Sequence, residues 1–226
     1  MAYRNGPKIV TDGLVLCLDA AGTKSYPGSG SVWYDVASSG FNCTIYGAVF
    51  SSGDGGHFVF NPSNSNYIQT SALGSIPSGF SVSSWFYVSN GTNGGKIFSS
   101  NNSDSTKLYA IHIGIDGKLY FQTWLATQYI SSAGLIPMDT WRFVTTTQTG
   151  VANEGDSATV NIYVNGQKIA TASIASPTGL GNYTRIGRMT SAYHDGGIAS
   201  VMCHKKVLSQ EEVLQNYNAT KGRFGL

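Results

Sequence analysis

Short runs in which large apolar residues alternate with small polar ones fill most of the chain, and Gly, Ser and Asn separate them. Two such runs surround Asp116-Gly117 (KLYAIHIGIDGKLYFQTWL) and Asn165-Gly166 (ATVNIYVNGQKIATASI). Both dipeptides tolerate the positive φ angles of a two-residue type I′ turn. The two segments therefore predict antiparallel β-hairpins.

The same alternation predicts further strands at 13–19, 56–60, 66–70, 80–89, 95–100, 140–149, 183–188 and 197–206. Ten or more short strands with turn residues between them are typical of an all-β sandwich. In the segment 80–89, Val82 and Phe86 point to one side, whereas Trp85 and Tyr87 point to the other. This strand is therefore predicted to lie within a sheet, covered on both faces towards its end.

The closing segment VLSQEEVLQNYNATKGRFGL has a helical pattern instead. Ser209 and Glu212 form a capping box, Val213 and Tyr217 lie on one apolar stripe, and Gly222 is a candidate stop. We expect a helix of about ten residues that is buried on one side. Such a helix could be a structural clasp on the sheet or could itself bind a ligand, and the pattern favours the clasp.

Length and composition favour one sandwich domain spanning 1–226, with extended arms at about 1–12 and 218–226. The chain has 14 Lys and Arg against 12 Asp and Glu. No basic run alternates with aromatic residues, so we expect no nucleic-acid partner. Only 12% of residues are charged. The expected surface is polar and weakly charged, which suits either dense assemblies or contact with sugars.

No apolar run is long enough to span a bilayer, and the first residues lack the apolar stretch of a signal peptide. We therefore expect synthesis in a cytoplasm and no membrane partner. The three cysteines, Cys17, Cys43 and Cys203, show no metal-type spacing and are expected to be free, buried thiols.

Several segments occur in an order that resembles the concanavalin A-like lectin/glucanase superfamily, in its laminin-G-like jelly-roll branch. They are GLVLCLDAAGTKSYPGSGSVWYD, GGHFVF, NYIQT, FSVSSWFYV, IYVNGQKIA, TRIGR and GGIASVMCHKKVLSQEEVLQNYNATKGRFG. The opening segment and the closing NY-x-A-x-KGRFG are similar to those of structural proteins in tailed-phage virions. The resemblance implies an antiparallel jelly-roll sandwich in which a short C-terminal helix caps one end.

The resemblance also implies a non-enzymatic structural protein on a bacteriophage virion, as a head decoration or cement protein or as a tail or fibre component. Its expected partners are other virion proteins and further copies of itself, for example in a trimer. It would be made in the host cytoplasm and located on the virion. The alternative is a module that binds host or environmental polysaccharide, and a hydrolase is a more distant reading.

Glucanases on this fold need an acid and a nucleophile close together. The chain has three glutamates. Glu211 and Glu212 belong to the predicted helix, and Glu154 with Asp156 belongs to a polar turn, so we expect no catalysis. His194-Asp195 is the remaining dyad, and its spacing supports no catalytic arrangement.

Members of the superfamily often hold a cation, and loop carboxylates are ligands that suit Ca²⁺. The candidate ligands are Asp19, Asp35, Asp54, Glu154, Asp156 and Asp195. The alternative for each is a carboxylate that accepts backbone N–H bonds in a turn. The acidic position that the family has in its last strand is Ala199 here, which weakens the inference of a metal.

Sugar binding requires exposed aromatic rings that stack on pyranose faces. The candidate platforms are Trp33, Tyr34, Trp124, Tyr129, Tyr183 and Tyr193. A sandwich core or a subunit interface would use the same residue types, so this alternative stays open for each of them.

Overall fold

The computed structural model describes residues 8–76, 78–89, 94–101, 108–123 and 129–226. Within these ranges the regular structure is mostly β-strand, with one α-helix near the C-terminus and three short 3-10 turns. The elements are β1 (Leu14–Asp19), β2 (Val32–Trp33), β3 (Cys43–Tyr46), β4 (Val49–Ser51), β5 (His57–Phe60), β6 (Tyr67–Ser71), β7 (Phe80–Val88), β8 (Gly95–Asn101), β9 (Leu108–Ile113), β10 (Lys118–Thr123), β11 (Tyr129–Leu135), β12 (Arg142–Gln148), β13 (Ser157–Val164), β14 (Gln167–Ala175), β15 (Tyr183–Ile186), β16 (Arg188–Met189), β17 (Ala192–Tyr193), β18 (Gly196–His204) and α1 (Gln210–Thr220).

Two eight-stranded antiparallel sheets form a sandwich. The first sheet has the order β14-β13-β12-β7-β18-β5-β4, and β1 also pairs with β18. The second sheet has the order β11-β10-β9-β8-β15-β6-β3-β2, while β16 and β17 form a separate two-stranded hairpin. The predicted all-β antiparallel jelly-roll sandwich with one short C-terminal helix is confirmed.

The main core lies between the two sheets and is rich in aromatic rings. Phe80, Val82 and Phe86 of β7 point into it, as do Tyr109 of β9 and Phe121 of β10. Burial of side chains of this size stabilises the fold by roughly 1.5 to 3 kcal/mol each. The predicted two-sided strand is confirmed, because Trp85 of β7 is 1% exposed on the opposite face, in a second cluster.

The two predicted hairpins form, but only one has the predicted turn. Asn165 and Gly166 have φ angles of 49° and 79°, as a type I′ turn requires. The Asp116-Gly117 turn was predicted wrongly: Gly117 is left-handed (φ 76°), whereas Asp116 is not. The Gly117 N–H donates to the Gly114 carbonyl, and the Tyr120 hydroxyl donates to Asp116 at 2.6 Å. The loop is therefore longer, and these bonds hold it.

The capping box of α1 is confirmed. The Ser209 hydroxyl accepts from the Glu212 N–H at 3.3 Å, and the Glu212 carboxylate accepts from the Ser209 N–H at 2.9 Å. The helix is docked, since Val213 and Asn216 are fully buried. The Gln210 side chain donates to the Gly166 carbonyl in the β13–β14 turn. These contacts support the clasp interpretation.

Gly222 was predicted to stop the helix, but the α-helix ends at Thr220 and helical turns continue past Gly222. Residues Lys221–Phe224 continue as a 3-10 turn, and the left-handed residue is Gly225 (φ 70°). The extra turn places the Phe224 ring 4.1 Å from the Trp85 ring, between centroids. Stacking on Trp85 therefore favours continuation beyond Gly222.

The stretches expected to be extended arms pack against the first sheet where they are described. Val10 is 7% exposed, its N–H donates to Asn216, and its carbonyl accepts from His204. Residues 218–226 end the helix and form the 3-10 turn. Residues 1–7 of the predicted N-terminal arm lie outside the described residues. Across the described ranges, no helix has the length and apolar character needed to cross a membrane.

Replacing Ser209 and Glu212 together with alanine is expected to lower the melting temperature by several degrees. Each cap contributes about 0.5 to 2 kcal/mol, and Glu212 also pairs with Lys206 at 2.8 Å. Differential scanning calorimetry measures the change, with Ser39→Ala on an exposed loop as the control. Equal melting temperatures for the double variant and the control would show that the cap contributes nothing.

Candidate functional site

A row of tyrosine and arginine side chains covers part of the outer side of the second sheet. Ile68 of β6 and Ile186 of β15 point into the core. Because side chains alternate along a strand, their neighbours lie on the outer side. We call this surface the Arg–Tyr face, and it consists of Tyr46, Tyr67, Gln69, Tyr183, Arg185, Arg188 and Tyr193.

The rings and guanidinium groups of the face contact one another in sequence. Tyr46 and Tyr67 are cross-strand partners whose rings stack with centroids 4.6 Å apart. The Arg185 Cζ atom lies 5.5 Å from the Tyr67 centroid and 4.1 Å from the Tyr183 centroid. The Arg188 Cζ atom lies 4.9 Å from the Tyr67 centroid and 5.1 Å from the Tyr193 centroid. Cation–π attraction therefore holds these side chains in a fixed arrangement.

Gly187 explains why both arginines reach the same ring. In a regular strand, residues three positions apart face opposite sides of the sheet. Gly187 has a φ angle of 80°, and a Cβ at this position would overlap the Phe60 ring. The left-handed backbone ends the alternation of β15, so that Arg188 joins Arg185 beside Tyr67. Glycine is the residue that adopts this conformation without strain.

A polar depression of about 460 Å³ adjoins the face. Tyr46 and Tyr183 line it together with Asn42, Thr44 and Asn182. Tyr46 is 43% exposed, and Tyr67, Tyr183 and Tyr193 are half-buried. Aromatic walls with a few amide and hydroxyl groups can hold a polar ligand that also has apolar faces.

A different depression, of about 370 Å³, lies beside the first sheet. His57, Tyr87 and Trp141 form its aromatic part, and Asp54 and Asp139 are exposed at its rim. His57 Nδ1 lies 3.0 Å from the Gly53 carbonyl, and burial lowers the pKa of His57. Of the described residues that line this depression, Tyr87 is the one tyrosine and none is an arginine.

The predicted sugar platforms fall into different environments. Tyr183 and Tyr193 belong to the Arg–Tyr face. Trp33 is 0% exposed in the main core, so its prediction as a platform was wrong; it points between the sheets, against Phe58. Tyr34 is 43% exposed in the loop after β2 and takes no part in the ring and guanidinium contacts of the face. Trp124 lies outside the described residues, as does the side chain of Tyr129, whose backbone begins β11.

Asp35 and Asp19 organise the protein's own loops. The Asp35 carboxylate accepts from the N–H groups of Cys17, Ala37 and Phe41. The Asp19 carboxylate accepts from the Ala21 N–H and pairs with Arg223 at 2.5 Å. Both carboxylates thus accept backbone N–H bonds in turns, which was the alternative to a cation site.

The other predicted cation ligands do not form a cluster with Asp19 and Asp35. Glu154 and Asp156 lie in an exposed turn, where Asp156 accepts from the N–H of Asn153, and Asp195 lies next to β18. Asp54 is exposed at the depression beside the first sheet. Within the described ranges, no three His, Cys, Asp or Glu side chains come together as metal ligands.

The remaining reactive side chains are buried in the protein. His194 Nδ1 accepts from the Lys96 N–H, and its Nε2 lies 3.1 Å from the Tyr87 carbonyl. Both ring nitrogens of His194 are therefore bonded to backbone groups, and His194-Asp195 does not act as a dyad. Cys17, Cys43 and Cys203 are free and buried, as predicted, and burial raises the pKa of Cys17 to about 12.

A model of the laminin G type, described as the concanavalin A-like lectin/glucanases superfamily, matches residues 62–214. The chain belongs to this superfamily. No curated protein matches the sequence. The match runs from β6 to the first half of α1, and so includes Tyr67, Tyr183, Arg185, Arg188 and Tyr193 of the Arg–Tyr face.

Solved structures share the fold at low sequence identity. The binding domain of Paraclostridial Mosquitocidal Protein 1 is 18% identical with a TM-score of 0.67, and the match covers 92% of this chain and 52% of that one. Trypanosoma rangeli sialidase is 14% identical with a TM-score of 0.68, over 95% of this chain and 34% of that one. The present chain thus spans about half the length of the mosquitocidal protein chain and about a third of the length of the sialidase chain.

A third similar structure is domain 4 of AbnA, an extracellular arabinanase from Geobacillus stearothermophilus, in complex with arabinotriose. It is 15% identical with a TM-score of 0.63, and the match covers 90% of this chain and 98% of that one. At these identities the likeness shows the fold alone.

Sequence reasoning missed most of the Arg–Tyr face in this superfamily member. Tyr67 and Gln69 alternate with Ile68 inside a predicted strand, a signal that could have placed them outside. Tyr46 belongs to β3, which was not predicted. The position of the Arg188 side chain on this face depends on the left-handed backbone at Gly187. Simple strand alternation would place Arg188 on the opposite side from Arg185.

Proposed function

We propose that this chain is a non-enzymatic carbohydrate-binding module and that the Arg–Tyr face is its binding surface. The observation that carries the proposal is the fixed row of partly exposed tyrosines beside a polar depression. Membership of a lectin-like superfamily supports it. So do similar structures that are an arabinanase domain bound to arabinotriose and a sialidase.

The face has the two kinds of group that sugars require. Tyrosine rings offer flat apolar area against the C–H faces of a pyranose or furanose ring. Because a tyrosine side chain has few rotatable bonds, and because these rings are already stacked, little entropy is lost on binding. Side-chain amides of Asn42, Gln69 and Asn182 lie beside the rings and can bond sugar hydroxyls.

The placement of the carboxylates supports binding without hydrolysis. Glycoside hydrolysis uses two carboxyl groups on either side of the scissile bond. Glu211 and Glu212 lie in the first turn of α1, and Glu154 lies in an exposed turn. Among the described residues, those that form the Arg–Tyr face and line its depression include no Asp or Glu.

Tyr67→Ala is expected to weaken glycan binding about ten-fold or more. Tyr67 contacts Tyr46 and both arginines, so its loss removes one ring and releases its neighbours. Binding is measured on a printed panel of neutral and acidic oligosaccharides and then by calorimetry with the best ligand.

Ile169→Ala is the control, because it removes a large apolar side chain that is 36% exposed on β14 of the first sheet. It is expected to bind as the unchanged protein does. The proposal is wrong if no glycan binds, or if Ile169→Ala weakens binding as much as Tyr67→Ala. Release of reducing ends from a bound polysaccharide would contradict the non-enzymatic part.

A virion setting is the second proposal. It is supported by the resemblance of the opening and closing segments to those of structural proteins in tailed-phage virions. In this setting the chain would be a head decoration or a tail or fibre component, and would form a homo-oligomer such as a trimer. Mass spectrometry of purified particles and mass photometry of the protein test these points. Absence from the particle would exclude the setting, and a monomer at all concentrations would exclude the oligomer.

A further inference from the structure

We infer that the glycan bound at the Arg–Tyr face is acidic, and that Arg185 and Arg188 bind its anionic group. This inference rests on the proposed function and names the class of sugar that the face takes. The ligand chemistry is a carboxylate or sulfate group on a sugar ring, held by guanidinium groups while the ring stacks on tyrosine.

Each guanidinium group is held in place from one side. Arg185 Nε donates to Gln69 Oε1 at 2.8 Å, and Arg188 Nε donates to the Thr190 carbonyl at 2.8 Å. The flanking tyrosine rings limit rotation of both planes. Within the described structure, the terminal nitrogens of the two arginines have no hydrogen-bond partner. The two terminal nitrogens of each arginine are therefore oriented, and their N–H groups are available as donors.

Neither arginine is neutralised by the protein. The ion pairs of the described ranges involve Lys206 and Arg223, whose carboxylate partners are Asp12, Glu212 and Asp19. Arg185 and Arg188 are half-buried and lie against the same Tyr67 ring. Two like charges at one ring repel each other, and an anion between them would remove that repulsion.

The geometry favours an anion over a neutral sugar. A guanidinium group presents parallel N–H donors that match the two oxygens of a carboxylate or a sulfate. A neutral sugar hydroxyl would use one of these donors and leave the charge uncompensated. The tyrosines therefore bind the ring and the arginines select its acidic substituent.

Three probes with one backbone test this inference: dextran, carboxymethyl-dextran and dextran sulfate. The full chain is expected to bind at least one charged polymer ten-fold or more tightly than dextran at physiological salt. The carboxylate and sulfate arms show which anion the face prefers. Arg185→Gln and Arg188→Gln are each expected to remove most of this advantage.

Two control variants separate site binding from general attraction. Lys168→Gln removes the same charge from an exposed position on β14 of the first sheet and is expected to leave the advantage intact. Arg188→Lys keeps the charge without the planar donors, and its binding is expected to lie between the unchanged protein and Arg188→Gln. Melting curves confirm that the variants fold.

Equal binding of all three polymers would overturn the acidic ligand while leaving the carbohydrate-binding proposal in place. A loss in Lys168→Gln as large as that in Arg188→Gln would also overturn it. Binding of no glycan, either here or on the printed panel, would overturn both proposals.

Discussion

Replacing Trp85 with alanine is expected to lower the free energy of unfolding by about 3 to 5 kcal/mol. Trp85 is 1% exposed, and its ring stacks on Phe224 with centroids 4.1 Å apart. Its indole N–H donates to the Thr220 hydroxyl at 2.7 Å. The substitution removes the side chain that joins β7 to the end of the chain. Urea unfolding followed by circular dichroism measures the change.

Trp85→Phe is the matched control for this prediction. A phenyl ring keeps much of the stacking with Phe224 and Phe143 and loses the hydrogen bond to Thr220. The expected loss is about 1 to 2 kcal/mol, because one hydrogen bond is lost and the ring is smaller, while the Thr220 hydroxyl keeps its bond to the Asn216 carbonyl. If both variants unfold at the same urea concentration as the unchanged protein, the C-terminal segment is not docked on Trp85.

Stability is expected to fall steeply as the pH decreases from about 6.5 to about 4. Burial lowers the pKa of His112 to about 4 and the pKa of His194 to about 4, against an ordinary value of 6.5. Burial also lowers the pKa of His57 and the pKa of His204. In this window the unfolded chain binds more protons than the folded one, so acid favours unfolding.

The expected size follows from about 1.4 kcal/mol for each pKa unit, which gives roughly 3 kcal/mol for each of His112 and His194. This contribution is fully present above about pH 6.5 and is lost as the pH falls towards 4. Urea unfolding at intervals between pH 4 and pH 8 measures it. His194→Gln removes one titrating group, so its stability is expected to be lower but to change less with pH. Equal stability of the unchanged protein at pH 7 and pH 5 would contradict the prediction.

Alternation and turn residues were enough to predict the architecture. The Asn165-Gly166 turn, the two-sided strand around Trp85 and the Ser209 cap each depend on residues that are close in sequence. Their local chemistry agrees with the final fold, and so they could be inferred without it. The short strands β2, β3 and β4 were missed because two to four residues carry too little alternation.

The binding face could be predicted only in part, because its side chains come from distant segments. Tyr46, Tyr67 and Tyr183 meet through the pairing of β3, β6 and β15, which no local pattern specifies. Trp33 and Tyr183 looked equally suitable in sequence, and only the packing of the sheets buries the first and partly exposes the second. Gly222 was expected to end the helix. The residues beyond it stay helical because Phe224 stacks on Trp85, a contact between distant segments that the local pattern does not indicate.

Chemical-shift mapping by NMR tests the central claim most directly. The full ¹⁵N-labelled chain is titrated with carboxymethyl-dextran oligosaccharides. The largest shifts are expected at the backbone amides of Tyr67, Gln69, Arg185 and Arg188 and at the arginine Nε–H groups. Shifts that cluster instead around His57 and Trp141, in the depression beside the first sheet, would contradict the assignment of the Arg–Tyr face as the binding surface.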